Sequence, residues 1–388
     1  MSKINVFVVG SKGIPARYGG FETFVENLTK RKQNPDIHYF VSAMGGNGTY
    51  SHNGATCFSI PLKKDSAFKR IFNISNALSW VEKYIRSHPE EKDNIVYILG
   101  CRVGLLIGKH KRILTKLGCI VLTNPDGLEW KRDKWNYLQK KVLLLSENKL
   151  LKHSDYIVFD SIGVRQFVSE MVKLNPDKTT YIAYGNDVAP SKASDAHAIK
   201  YLDKFSAKPH EYYLIVSRFV PENNFELIIR EFMKSKTDKK LFIITNHAGD
   251  DFYKYLLDKT HFNEDKRIVF AGTLYDEELL KKVRELAFAY IHGHSVGGTN
   301  PSLLEAIAST KINLLYDVPF NREVGDDQCL YFSNKEDDLK EKIAYIEENH
   351  EQLSKTINPR DIALNRYSWE SIIEKYESFF LKVINEKK

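Results

Sequence analysis

Short runs of apolar, mostly β-branched residues alternate along this chain with stretches whose apolar positions recur every three to four residues. The runs at 4–9, 37–41, 95–99, 120–122, 156–159 and 180–183 are flanked by Gly, Asn, Asp or Lys and predict buried strands. After the first, Phe21, Phe24, Val25 and Leu28 stand at i, i+3, i+4 and i+7, which predicts a helix over 21–32. Buried strands separated by helices predict an α/β fold with a parallel sheet covered on both faces. Positions 192–209 are polar and read as a connecting segment. The pattern then restarts, with strands predicted at 212–217, 241–245, 268–271, 288–292 and 311–316. Two doubly wound units in tandem follow from this. A last helix over 368–381, with Ser368 as its N-cap, carries Trp369, Ile372, Ile373, Tyr376, Phe379 and Phe380 at helical spacing. It comes after a complete second unit, so it is expected to dock on the first.

Composition narrows the class. At ~150 residues per domain, 388 residues imply two domains, or three small ones. With 43% hydrophobic and 12% aromatic residues the chain can fill two cores. No window approaches the ~20 apolar residues of a membrane span, and the first run is too short for a secretory leader. A cytoplasmic location is expected. Cysteines 57, 101, 119 and 329 form no CxxC and read as reduced thiols, without a structural zinc. The net charge of +7 is uneven. Residues 1–190 hold 28 Lys and Arg against 17 Asp and Glu, whereas 191–388 hold 29 against 33. The first half therefore carries +11 and the second −4, so the first is expected to face something anionic.

In doubly wound sheets ligands sit beyond the carboxyl ends of the strands, so the loops that follow strands are where chemistry is sought. Four stand out. Gly297-Gly298-Thr299-Asn300-Pro301-Ser302-Leu303-Leu304-Glu305 follows a strand; Asn300 can cap a helix and Pro301 can begin it. Free N–H groups at that helix start suit a diphosphate, and Glu305, a turn further in, suits ribose hydroxyls. An ordinary capped helix would look the same. Arg218 directly follows the strand at 212–217 and offers a fork matched to phosphate oxygens, although a surface arginine is the plainer reading. Gly19-Gly20, after the first strand, permits close backbone approach but is not GxGxxG, which weakens a dinucleotide reading. The run 124–135 mixes Asp126, Glu129, Trp130, Lys131, Arg132 and Trp135, the acids and rings that grip sugars. His292-Gly293-His294 lacks further ligands at metal spacing.

Taken together and in order, four motifs resemble the retaining GT-B glycosyltransferases of family 4. They are Gly-Ile-Pro-Ala-Arg-Tyr-Gly-Gly-Phe-Glu-Thr (13–23), Asn-Pro-Asp-Gly-Leu-Glu-Trp-Lys-Arg-Asp-Lys-Trp (124–135), Tyr-Gly-Asn (184–186) and His-Gly-His-Ser-Val-Gly-Gly-Thr-Asn-Pro-Ser-Leu-Leu-Glu-Ala (292–306). The closer resemblance is to the bacterial rhamnosyltransferase branch, which builds capsule, O-antigen and cell-wall polysaccharides. It implies a GT-B fold: an acceptor-binding domain at 1–188, a nucleotide-sugar domain at 189–367, and a helix at 368–388 returning to the first. Glu305 matches the second glutamate of the family's E-x7-E element, and Gly297 stands where the first would be. Arg218 matches the diphosphate-binding arginine, while Asn223 replaces its usual lysine partner. Gly272 and Leu274 lie in the stretch that meets the nucleobase. The implied donor site comprises Gly19, Gly20, Asn223, Gly272, Leu274, Gly298, Thr299, Asn300 and Ser302, with Asp126, Arg218 and Glu305 as catalytic residues. Arg17, Glu22, Trp130, Lys131 and Arg132 are implied for the acceptor.

The resemblance further implies dTDP-L-rhamnose as donor, no metal or other cofactor, and an acceptor GlcNAc or glucose on a polyprenyl diphosphate. That acceptor sits at the inner leaflet, so peripheral association with the cytoplasmic membrane face is expected. The basic first half agrees, with runs at Lys63-Lys64, Lys69-Arg70, Lys109, Lys111-Arg112, Lys131-Arg132 and Lys140-Lys141, and an amphipathic stretch over 63–80. A homodimer is a further partner the reading allows. Two competing readings are a nucleotide-sugar epimerase on the same fold and a nucleic-acid-binding protein. The second lacks any recognisable motif or regular aromatic interleaving.

Overall fold

The computed structural model describes residues 3–17, 19–61, 67–125, 127–131, 135–247, 249–296 and 299–387. The chain divides into two compact units, Met1–Gly185 with Trp369–Lys388, and Asn186–Ser368.

In the first unit the strands are β1 (Ile4–Val9), β2 (Ile37–Met44), β3 (Thr49–His52), β4 (Ala55–Ile60), β5 (Asp93–Leu99), β6 (Ile120–Asn124), β7 (Tyr156–Phe159) and β8 (Thr179–Tyr181). They form one sheet in the order β3-β4-β2-β1-β5-β6-β7-β8. Every pairing is parallel except β3 with β4. The central β1 is buried at all six positions, as a strand with helices on both faces must be. The hairpin of β3 and β4 was not foreseen. Thr49, Tyr50 and Ser51 of this edge strand are exposed, and an edge strand with a wet face leaves no apolar run to read. Among the described residues the helices that precede the second unit are α1 (Gly20–Lys30), α2 (Ala67–Ser87), α3 (Ile107–Lys116), α4 (Tyr137–His153) and α5 (Ile162–Val172).

The second unit holds β9 (Tyr212–Val216), β10 (Lys240–Ile244), β11 (Ile268–Gly272), β12 (Ala289–His292), β13 (Asn313–Tyr316) and β14 (Leu330–Phe332). Their order is β11-β10-β9-β12-β13-β14, all parallel. Its helices are α6 (Asp195–Asp203), α7 (Phe225–Lys234), α8 (Asp251–Thr260), α9 (Glu277–Glu285), α10 (Pro301–Ser309), α11 (Pro319–Gly325), α12 (Asp338–Thr356) and α13 (Pro359–Tyr367). The segment read as a connector contains α6. Ser194 caps it, and Ala198 and Leu202 are buried in the core beside Tyr212 and Phe242, with Tyr201 packed against them. With only two of its nine residues fully buried, α6 leaves no clear core-facing stripe to read, yet those two are enough to hold a capped helix.

The last helix, α14 (Trp369–Lys387), packs within the first unit. Tyr97 donates its hydroxyl to that of Tyr376 at 3.2 Å, and the rings of Phe24 and Tyr376 lie 4.9 Å apart. The buried Glu377 carboxylate accepts from the backbone N–H of Gln33 and of Asn34 at 3.0 and 2.8 Å. Gly185 allows the approach: a Cβ there would fall 2.2 Å from the Trp369 indole. Ser368, expected as an N-cap, stands directly before α14 and also closes α13.

Candidate functional site

Two sets of candidate residues are assembled, one in each unit. In the second unit they gather at the carboxyl ends of β9 and β12. Asn300 caps α10, its side chain accepting from Ser302 N at 2.9 Å, and Pro301 opens the helix. The Ser302 hydroxyl donates to the Val216 carbonyl at 2.6 Å, and the Tyr290 hydroxyl reaches the same carbonyl at 2.9 Å. The start of α10 is thereby fastened to the end of β9. Thr299 is buried just ahead of the cap. A capped helix start is thus held against a strand end, with Thr299 and Asn300 at the junction.

Arg218 is exposed on the loop after β9, with no side-chain acceptor among the described residues. Its backbone is fixed by Asn223, whose Nδ2 donates to the Arg218 carbonyl at 2.6 Å. The other end of that amide accepts from His294 Nδ1 at 2.8 Å. Ser217 O accepts from Thr245 Oγ1 at 2.7 Å, and Thr245 N donates to Gly272 O at 3.0 Å. A chain of hydrogen bonds thus ties the ends of β9, β10 and β11, which positions Gly272, φ +75°, and the half-buried Leu274 behind it.

Asn223 is 5% exposed and fills the place where the resembling enzymes carry a lysine. It works as a brace for the Arg218 loop. Asn223→Lys is therefore expected to destabilise the fold by about 1–3 kcal/mol, because it breaks both bonds and drives an ammonium toward His294. Thermal unfolding measures this; an unchanged melting temperature with tighter donor binding would contradict the brace.

Glu305 stands one turn inside α10, and its Oε2 meets Arg284 Nη2 of α9 at 2.5 Å. The Arg284 side chain is 4% exposed, that of Glu305 45%. A buried guanidinium thus orients a half-exposed carboxylate. Sequence reading missed Arg284 because nothing near it in the chain marks it; 21 residues separate it from Glu305. His292 is buried, and burial first, then the neighbouring His294, holds its pKa well below the usual histidine range. It therefore adds no cation to this site near neutral pH.

In the first unit a cavity of about 190 Å³ opens at the carboxyl ends of β1, β5 and β6. Glu22, Arg102, Glu129, Trp130 and Glu147 line it. Arg102 approaches Glu129 at 3.4 Å, and Trp135 Nε1 donates to Glu129 at 3.2 Å. Glu22 is buried and accepts from Lys12 N at 2.7 Å. It also lies against Gly19, the N-cap of α1 at φ +127°, where a Cβ would fall 2.0 Å from its oxygen. Gly19 is thus required by its own backbone and by this carboxylate. Trp130 is half-buried, and Lys131 Nζ sits 3.9 Å over the Phe167 ring. Arg17 and Gly20 are exposed near the start of α1. Asp126, Arg132 and Gly298, and the Lys63-Lys64 run, lie outside the described residues. Among the described residues no group of three or more His, Cys, Asp or Glu could hold a metal ion.

Residues 202–359 match the family model described as Glycosyl transferases group 1. Residues 3–187 match a domain of unknown function, DUF1972. A curated relative, the alpha-monoglucosyldiacylglycerol synthase of Acholeplasma laidlawii, is 24% identical over 353 residues, covering 84% of this chain and 83% of its own. Among solved structures, sucrose-phosphate synthase from Thermosynechococcus elongatus superposes with a TM-score of 0.79 at 14% identity over the full length of both chains. Anabaena HepE in complex with UDP gives 0.73 at 12% identity, covering 98% of this chain and 100% of that one. These two likenesses establish the GT-B fold.

Proposed function

We propose that the sugar moved by this chain, a glycosyltransferase of GT-B fold that uses a nucleotide-sugar donor, is L-rhamnose, from dTDP-L-rhamnose to GlcNAc or glucose on a polyprenyl diphosphate. The donor cradle of the second unit, with one exposed arginine, one capped helix start and one oriented carboxylate, supports the nucleotide-sugar part of this reading, and the resemblance of the motifs at 13–23, 124–135, 184–186 and 292–306 supports rhamnose and the lipid-linked acceptor. As the glycosidic bond breaks, negative charge develops on the leaving diphosphate. Arg218 and the backbone N–H groups of Thr299 and Asn300, just ahead of α10, stabilise that charge, and Glu305 holds the ribose. The acceptor hydroxyl attacks on the face the diphosphate leaves, and a diphosphate oxygen takes its proton, so no protein nucleophile is invoked.

The acceptor sugar is assigned to the cavity of the first unit. Three carboxylates there suit hydroxyl groups and disfavour a phosphate, and the Trp130 ring offers an apolar face. Trp130→Ala is expected to raise the acceptor KM about tenfold while the donor KM stays within about twofold. Steady-state kinetics with each substrate varied in turn measures the split, and a change confined to the donor would reassign the cavity. Asp126 is proposed to polarise the acceptor hydroxyl, so Asp126→Asn should cost about tenfold in kcat with donor affinity kept.

A second donor is favoured by specific likenesses. The curated relative's name contains a glucosyl group, and HepE has been solved with UDP-glucose. One experiment separates the two. A panel of nucleotide sugars is offered with a lipid-linked GlcNAc acceptor, and products are read by mass spectrometry. Rhamnosyl transfer is expected; transfer from UDP-glucose alone would overturn the rhamnose reading and leave the glycosyltransferase.

A further inference from the structure

A second, much smaller cavity of about 10 Å³ adjoins the larger one of the first unit, at the carboxyl ends of β1 and β2. Gly10, Met44 and Ile74 line both. Its volume admits one water-sized group. A sugar ring therefore cannot enter it, but a substituent of a sugar held in the larger cavity can. Ile60, Ile74 and Ala77 make much of the wall apolar. Asn73 of α2 also lines it, is 7% exposed, and has no hydrogen-bond partner for its Nδ2 among the described residues. A buried amide donor left open is costly. A ligand oxygen that reached it would recover that cost as about 10–100-fold in affinity. The buried Ser11 and Ser42 line the cavity too, and their hydroxyls can turn to donate to the same oxygen.

From this pairing of an open donor with an apolar wall we infer that the acceptor sugar carries an acetamido group. Its carbonyl oxygen accepts from Asn73 Nδ2, and its methyl rests on Ile74 and Ala77. Asn73 is then the residue that sets acceptor specificity. Each part of the group has a counterpart here. The carbonyl oxygen can only accept, the methyl matches the apolar wall, and the amide N–H remains for the carboxylates of the larger cavity. A hydroxyl in the same place would reach the amide but leave the apolar wall uncovered, and an acetate ester would lack the N–H. The inference rests on the assignment of the acceptor to the first unit's cavity, and it narrows that assignment, because glucose has no acetamido group.

Saturation-transfer NMR on the full chain tests this, with methyl N-acetyl-α-glucosaminide and methyl α-glucoside as probes. The acetamido sugar should bind at least about tenfold more tightly, with its acetyl methyl the most strongly saturated group. Asn73→Asp keeps the side-chain shape but exchanges the donor for an acceptor. It should bring the two affinities within about threefold of each other, and it should bind methyl α-glucosaminide, whose ammonium donates, more tightly than the wild-type chain does. A merely structural Asn73 would not produce that exchange of preference. Ala77→Val crowds the methyl without touching the amide and should lower the acetamido affinity at least about fivefold. Equal binding of the first two probes by the wild-type chain, or a preference that survives both variants, would overturn the inference. The cavity would still hold the acceptor if Trp130→Ala weakened both probes. Binding of neither probe would overturn the inference together with the acceptor cavity. No donor enters the assay, so a failed rhamnose reading would leave its result intact.

Discussion

Replacing Arg218 by Ala is expected to lower kcat/KM for the donor by about 10²–10³-fold, the scale of removing one preorganised charge from a developing anion. The loss should appear in kcat as well as KM, because charge on the diphosphate grows as the bond breaks. The fold should not change. Arg218 is exposed, and its bonds to the protein run through its backbone, which Asn223 and Val220 hold at 2.6 and 3.0 Å. A surface truncation of this kind falls within about 0.5 kcal/mol of stability. Arg218→Lys should recover only part of the rate, since an ammonium keeps the charge but loses the fork. Steady-state kinetics with the nucleotide sugar varied, beside a thermal melt, reads both quantities. A kcat/KM within threefold of wild type would remove Arg218 from the donor site.

The second large effect belongs to the pair of Glu305 and Arg284. Glu305→Ala is expected to lower kcat/KM by about 10–100-fold, mainly through a higher donor KM, because two ribose hydroxyls lose their acceptor. It should also lower stability, since it strands a guanidinium that is 4% exposed. The half-exposed carboxylate screens that cost to about 1–3 kcal/mol. Arg284→Met tests the positioning role separately. The guanidinium is removed without leaving a buried charge, so the melt should move little while the donor KM rises about tenfold. If Arg284→Met left KM unchanged, Glu305 would not depend on its partner for orientation. A KM unaffected by Glu305→Ala would take the carboxylate out of the ribose site.

The alternation of β-branched runs with amphipathic stretches was enough to give α/β architecture and two doubly wound units. Buried central strands are apolar at nearly every position, and six of six buried positions in β1 is the clearest case. Local chemistry was equally legible where it acts over a few residues: Asn300 caps α10 and Pro301 starts it. Elements with one wet face or few core contacts were not legible. The hairpin of β3 and β4 and the helix α6 owe their place to a neighbouring strand and to Ala198 and Leu202.

The same division runs through the candidate sites. Arg218, Asn300 and Glu305 stand in motifs that the chain displays in order, so sequence alone singled them out. What each side chain does was decided by partners far along the chain. Asn223 reads as a lost lysine until His294, 71 residues on, shows it to be a brace. Arg284 has no signal of its own, and Glu129, Arg102 and Glu147 meet Trp130 only because β5 and β6 end side by side. A sequence records the residues whose chemistry is local to a loop or a helix turn. Orientation, burial and convergence depend on contacts between separate elements, and those exist only in the folded chain.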